Sequence, residues 1–195
     1  MVSVKSSTDL AKMREAGRIS GRALKLAGES IKAGMTTKAL DKIIHDYIVG
    51  CGAKPSFLGY GGFPGSACIS INDEVIHGIP SHKRRIAEGD IVSVDVGACI
   101  NGFHGDTCAT FAVGKVSDEA RKLLEVTEAS LYEGIKAAQV GARIGDVSHA
   151  VEEYCVSRGY GVVRQYCGHG IGRELHESPE AVSYTHLRAH ETRRH

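Results

Sequence analysis

The stretch that decides the fold is Ile91–Phe111, which reads IVSVDVGACINGFHGDTCATF. Residues 91–98 alternate β-branched residues with small or polar ones, the pattern of a strand with one buried face. Asn101-Gly102 is a strong signal for a two-residue turn, since both residues tolerate the positive φ of a type I′ turn. The sequence therefore predicts a β-hairpin in which Ile100 pairs with Phe103.

Two carboxylates fall on one face of this predicted hairpin. In that register Asp95 faces Cys108, and Asp106 lies diagonally across at roughly 7–8 Å between backbones. Like charges this close repel each other and destabilise the sheet. Divalent cations would offset the repulsion, because carboxylate oxygens are hard ligands. The plainer interpretation is a solvated strand face with two scattered aspartates.

The composition is that of one folded domain or two closely fused halves. Of 195 residues, 42% are apolar and 24% are charged, and the net charge is +1. That charge gives no reason to expect binding to nucleic acid or to an acidic membrane surface. The N-terminus lacks the apolar core of a signal peptide, and no apolar run is long enough to span a bilayer. For these reasons we expect a cytoplasmic protein. Its six cysteines form no CxxC pair, so we expect reduced, mostly buried thiols and no disulfide framework.

Helical periodicity recurs on both sides of the hairpin. Apolar residues at three- and four-residue steps predict four helices, over about residues 10–31, 37–50, 117–138 and 144–158. Strands are predicted at Ala67–Ile71 and Tyr160–Tyr166. Glu29–Ala33 resembles Glu133–Ala137, which suggests a duplicated helix–helix–strand architecture with a site between the halves.

Glycine-rich loops carry further candidate residues. The loop Pro55–Gly65, PSFLGYGGFPG, holds three aromatic residues that either pin it to the core or line an apolar pocket. His169 follows a predicted strand and lies between two glycines, which let a substrate approach closely. His77 and His176 are the other histidine candidates.

Three longer segments extend these motifs: PSFLGYGGFPGSACISINDEVIHGIP, GDIVSVDVGACINGFHGDTCATF and YCGHGIGRELHESP. Together they resemble the type I methionine aminopeptidases of bacteria, over about Ser7 to Ala181. The resemblance implies an α+β fold, the pita-bread (creatinase/aminopeptidase) fold, with a pseudo-twofold repeat whose second half is incomplete here. It also implies a metal-dependent hydrolase that removes N-terminal methionine from nascent proteins and peptides with a small second residue.

The resemblance also implies roles for individual residues. Asp95, Asp106 and His169 correspond to ligands of two divalent metal ions, which in such sites are cobalt, manganese, iron or zinc. His77 and His176 correspond to catalytic side chains that contact the substrate. The methionine pocket would be lined by Phe57, Tyr60, Phe63 and Cys68. The implied partners are the N-termini of nascent polypeptides, with the ribosome as a further candidate, and the implied state is a monomer.

The sequence departs from this pattern near its end. The family's two glutamate ligands lie beyond His176, on strands that nothing after Pro179 matches. We therefore expect residues 1–181 to be a truncated catalytic domain and residues 182–195, VSYTHLRAHETRRH, to be a non-native disordered tail. The chain would then lack a complete metal site, which makes it a candidate inactive form.

Two other functions stay open at this point. An X-Pro aminopeptidase would use the same fold, although the compact segment from Phe57 to Ile79 argues against it. A non-enzymatic binding protein on the same fold is the second alternative. Such relatives lose metal ligands, whereas Asp95, Asp106 and His169 are all present.

Overall fold

The structure is a computed structural model that describes residues 2–184. Its elements are α1 (Ser7–Ser30), α2 (Thr37–Gly50), β1 (Lys54–Pro55), a 3₁₀ turn (Tyr60–Gly62), β2 (Ala67–Ile71), β3 (Ile91–Ile100), β4 (Phe103–Ala112), α3 (Asp118–Ala137), α4 (Ile144–Val156), β5 (Gly168–Gly170) and β6 (Glu177–Ala181). The chain divides into two compact units. The first comprises residues 4–117 and 171–175, and the second comprises residues 118–170 and 176–184 together with residues 2 and 3.

Two capped helices begin the first unit. Ser6 caps α1, since its hydroxyl accepts from the Asp9 N–H while the Asp9 carboxylate accepts from the Ser6 N–H. Thr36 caps α2 by accepting from the Ala39 N–H. Both helix predictions are confirmed to within a few residues.

The predicted hairpin is confirmed in its turn and its register. Asn101 and Gly102 have φ values of 53° and 76°, as a type I′ turn requires. Ile100 pairs with Phe103 and Asp95 with Cys108. β3 is the central strand: β4 pairs along its whole length, while β2 and β1 pair with successive parts of β3. The hairpin is therefore the frame on which the other strands are placed.

The two faces of the sheet differ in chemistry. The buried side chains of β3 that face the helices are Val92, Val94, Val96 and Ala98, which join one apolar core with residues of α1 and α2. The alternate positions, among them Ser93 and Asp95, are only partly buried. Strand alternation thus places the two helices over one face and leaves the carboxylates on the other.

The second unit contains α3, α4 and a short antiparallel strand pair, β5 and β6. The prediction of a strand at Tyr160–Tyr166 is wrong, because these residues form no strand and β5 begins only at Gly168. Residues 163–167 are all exposed, so this segment has no buried face that would stabilise a strand. Arg164 instead extends to Glu152 on α4, with Nη2 3.0 Å from Oε1.

The predicted tail is only partly within the described residues. Val182–Tyr184 are described, and the Val182 carbonyl accepts a hydrogen bond from the Ser148 hydroxyl on α4 at 2.5 Å. Residues 185–195 lie outside the described part of the chain. Within residues 2–184, no helix has both the length and the apolar character needed to cross a bilayer.

Candidate active site

The carboxylate pair predicted from the sequence forms on the hairpin. Asp106 lies opposite Gly97, one position along the same face from the pair Asp95–Cys108. Three causes raise the pKa of Asp95 to about 7: burial, the charge of Asp106, and the hydrogen bond that the protonated Asp95 carboxyl donates to the Asp106 carboxylate. Two carboxyl groups that share a hydrogen bond on a half-buried face form a donor set that fits a hard divalent cation.

Two thiols flank Asp95 across neighbouring strands. Cys68 on β2 and Cys108 on β4 both pair with Asp95 in the strand register. Burial and the two nearby carboxylates raise the pKa of each thiol to about 12. Both sulfurs are therefore protonated at neutral pH, which excludes them as nucleophiles and suits them to line a pocket.

An apolar cluster adjoins this carboxylate face. Its buried members are Phe57, Cys68 and Leu175, and Phe63 and Ile171 pack against them. A Cβ on Gly97 would lie 2.7 Å from the Phe57 ring, so only glycine lets the ring rest on β3 directly across from Asp106. The structure thus brings three of the four predicted pocket residues together beside the carboxylates.

One predicted pocket residue lies outside this apolar cluster, and two residues of the cluster were not predicted. Tyr60 is 51% exposed and lies outside the cluster. Ile171 and Leu175 were not predicted, although they are the apolar residues in a segment otherwise made of glycine and charged residues. The signal that could have identified them is the presence of two apolar residues, four positions apart, in a segment otherwise rich in glycine and charge.

His77 is held in an uncommon backbone conformation. Its φ is 59°, in the left-handed region that non-glycine residues rarely adopt and that often marks functional positions. The next residue, Gly78, is fixed to β2, because its carbonyl accepts from the Ile69 N–H at 2.9 Å and its N–H donates to the Ser70 hydroxyl at 3.0 Å. The exposed His77 side chain therefore projects from a loop anchored beside Cys68's strand.

The other two predicted histidines belong to the second unit. Their rings are 4.0 Å apart between centroids. His169 Nδ1 lies 2.9 Å from the Gly170 carbonyl oxygen, which assigns the ring proton to Nδ1 and the lone pair to Nε2. Neutral imidazole with Nε2 as its acceptor is the form that binds metal ions.

Each unit thus holds part of the predicted site. Among residues 2–184, no three His, Cys, Asp or Glu side chains are so arranged that they could hold a metal ion. The ligand set of Asp95, Asp106 and His169 accordingly stays a prediction.

Comparison with known proteins places the chain among metallopeptidases. A model of metallopeptidase family M24 matches residues 11–194. The methionine aminopeptidase of Clostridium acetobutylicum is 52% identical over 184 residues, which cover 94% of this chain and 74% of that protein. Methionine aminopeptidase 1 of Bacillus subtilis is 47% identical over the same shares of the two chains.

Solved structures agree with this placement. The crystal structure of the methionine aminopeptidase from Rickettsia prowazekii matches with a TM-score of 0.93 and 38% identity, over 95% of this chain and 75% of that one. Prolidase from Pyrococcus furiosus matches with a TM-score of 0.80 at 24% identity over 52% of its length, so the likeness there is of fold alone. The expected pita-bread α+β fold is confirmed, and the chain belongs to metallopeptidase family M24.

Proposed function

We propose that this chain is a methionyl aminopeptidase, a metal-dependent exopeptidase that releases the N-terminal methionine of proteins and peptides. The observation that carries the proposal is the hydrogen-bonded pair Asp95 and Asp106 directly across β3 from an apolar cluster. Metal-binding carboxylates beside a side-chain pocket are what an exopeptidase of this kind requires. The names of relatives at 46–52% identity support the same activity.

We assign Asp95, Asp106 and His169 as the residues of this chain that hold two divalent metal ions. Cobalt, manganese, iron and zinc all suit carboxylate and imidazole ligands. When bound, such ions lower the pKa of a water molecule and polarise the carbonyl that it attacks. The carboxylates contribute negatively charged oxygen ligands and His169 contributes the nitrogen Nε2. All four metals accept such a combination of oxygen and nitrogen ligands.

The apolar cluster selects the side chain of the first residue. Phe57, Phe63 and Leu175 offer an apolar surface that excludes water from a thioether. Cys68 adds a protonated, polarisable sulfur, which favours contact with another sulfur-containing side chain. We assign Tyr60 to the outer edge of this pocket, because its side chain is half exposed.

Two histidines complete the proposed chemistry. We assign His176 to donate a hydrogen bond to the carbonyl oxygen of the first peptide bond, where negative charge develops as the tetrahedral intermediate forms. We assign His77 to contact the nitrogen of the same bond. That bond breaks when its nitrogen takes a proton and leaves as the new N-terminus.

The setting of the proposed activity follows from its substrate. We propose the N-termini of newly made polypeptides as its partners. We also propose that the enzyme is a monomer that works in the cytoplasm near ribosomes.

The test is release of methionine from Met-Ala-Ser by two proteins, the 195-residue chain and a version in which two glutamate-bearing strands follow Ala181, after chelation and after addition of Mn²⁺, Co²⁺, Fe²⁺ or Zn²⁺ in turn. The extended version is the unchanged protein with which every variant below is compared. We expect free methionine only with added metal and only from the extended version, which supplies the two further glutamate ligands that the resemblance implies. The N-acetylated peptide, which lacks the free amine, should release none. A matched Ala-Pro-Ser peptide distinguishes X-Pro cleavage. Metal-dependent release from that peptide, or no release of methionine with any of the four metals, would contradict the proposal.

A further inference from the structure

The pocket loop, residues 57–65, is tied down at both ends by polar contacts. At its start the Ser56 N–H donates to the Gly97 carbonyl at 2.9 Å, and the Ser56 hydroxyl lies 2.9 Å from His104 Nδ1. At its end the tie is made by Asp41 of α2, a residue to which no role has been given so far. Because Phe57 and Phe63 lie on this loop, the contacts at its two ends determine the positions of both rings in the apolar cluster.

Asp41 is buried, and one of its two carboxylate oxygens binds the loop end. It is 2% exposed, and its Oδ1 accepts from the N–H groups of Ser66 and Ala67 at 2.7 and 3.1 Å. Its Oδ2 accepts from Lys38 Nζ at 2.7 Å. Burying a carboxylate is costly unless charged partners and hydrogen bonds satisfy it, so this residue binds the loop end strongly and with fixed geometry.

A second residue of α2 reinforces the same junction. His45 Nδ1 lies 2.8 Å from the Ser66 hydroxyl. An open cavity of about 620 Å³ is lined here by Asp41, His45, Ser66 and Leu58, among others. Ser66 and Ala67 are buried, and Ala67 belongs to the apolar core. The hydrogen bonds from α2 therefore act together with this packing to hold the loop end in place.

The anchored residues lead directly into the pocket. Ala67 is followed by Cys68, which belongs to the apolar cluster and pairs with Asp95 in the sheet. We propose that Asp41 is a positioning residue for substrate selection, which fixes the end of the pocket loop and so sets the preference for methionine as the first residue. This inference rests on the proposed function and deepens it.

A matched set of variants separates this role from a purely structural one. Asp41→Ala removes the tie, whereas Asp41→Asn keeps a side-chain oxygen that can accept from both N–H groups. Asp46→Ala is the control, because Asp46 lies on the same helix and lines the same cavity, but is exposed and pairs with Lys42. The readouts are kcat/KM for Met-Ala-Ser and Leu-Ala-Ser, and amide hydrogen exchange by mass spectrometry.

We expect Asp41→Ala to lower the methionine-to-leucine ratio of kcat/KM about tenfold, mainly through KM for the methionyl peptide, since misplaced pocket walls cost discrimination of this size. Exchange should rise in residues 57–68 and stay slow in the hairpin 91–112. Asp41→Asn should restore most of the ratio, and Asp46→Ala should match the unchanged protein. A ratio that Asp41→Ala leaves unchanged, or exchange that rises equally in the hairpin, would overturn the inference.

Two further measurements keep the result decisive. If Asp41→Ala does not fold, Asp41→Glu replaces it, since it keeps the charge but displaces the two N–H groups by one methylene; a wild-type ratio in that variant would overturn the inference. If the unchanged protein releases no methionine, the proposed function fails by itself. In that case calorimetry measures the Kd of free methionine and of free leucine. If the ratio of these two Kd values is the same in Asp41→Ala as in the unchanged protein, the inference is overturned independently of the proposed function.

Discussion

The two antiparallel strand pairs of the molecule are built very differently. β3 and β4 run for ten residues each in unbroken register around an Asn-Gly turn. β5 and β6 have three and five residues, and their register shifts between His169 and Gly170. One pair carries the carboxylates Asp95 and Asp106, and the other carries His169.

The difference lies in what each pair is packed against. One face of the long hairpin lies in a core of valine, isoleucine and alanine side chains with α1 and α2, so each strand position has a fixed side. In β5 and β6 the positions are exposed or only partly buried, and less apolar burial defines them. The hairpin can therefore hold two repelling carboxylates close together, because the apolar core on its opposite face fixes its register.

The largest effect should come from breaking the carboxylate pair itself. Asp106→Ala removes one proposed metal ligand but leaves the buried face of the hairpin intact. We expect methionine release to fall at least about a thousandfold, because losing a single charge-stabilising group in an active site already costs a hundred- to a thousandfold. Turnover of Met-Ala-Ser measures the loss, and thermal unfolding measures the fold.

Asp118→Ala serves as the control for that experiment. Asp118 is fully exposed at the start of α3, with one loose pairing to Arg121 at 3.6 Å, so its loss should leave turnover unchanged. Normal turnover in Asp106→Ala would remove the hairpin from the proposed chemistry. Loss of turnover with a collapse of thermal stability would show instead that Asp106 supports the fold.

A smaller effect concerns the cost of keeping the two carboxylates close. The pKa of Asp95 is raised from 3.8 to about 7, so between those values the folded protein holds a proton that the unfolded chain has released. The free energy of unfolding of the metal-free protein should therefore fall as pH rises from about 4 to 7, and level off above 7. Asp95→Asn should flatten this slope and stabilise the metal-free protein at pH 8 by up to about 4 kcal/mol, since one pKa unit corresponds to about 1.4 kcal/mol.

Urea unfolding from pH 4 to pH 8 in the presence of a chelator measures this slope. Asp118→Asn is the matched charge change at an exposed position and should keep the slope of the unchanged protein. A parallel slope in Asp95→Asn would mean that the pair does not set the pH dependence. Loss of activity together with gain of stability in one variant would show that the site is maintained for function.

The sequence predicted the hairpin down to its register because local signals agree there: alternation, an Asn-Gly turn and a buried face. It failed at Tyr160–Tyr166, where β-branched and aromatic residues predict a strand but no buried face supports one. It did not reveal Asp41 or Leu175, since both depend on contacts between residues far apart in the chain. Nor could it show that Tyr60 is half exposed while Phe63 packs into the cluster, because both aromatics stand on the same glycine-rich loop.

The smallest expected effect concerns Phe63 and Tyr60, which lie on one loop but differ in burial. Phe63 packs against Phe57, Cys68 and Leu175, so Phe63→Ala should enlarge the pocket and change the ratio of methionyl to leucyl cleavage by about tenfold or less. Tyr60→Ala, on the same loop but outside the cluster, should change the ratio much less. Steady-state kinetics on Met-Ala-Ser and Leu-Ala-Ser measure both variants. An unchanged ratio in Phe63→Ala would show that the apolar cluster beside the carboxylates does not read the first side chain, and that selection must be sought among residues other than those packed on the hairpin.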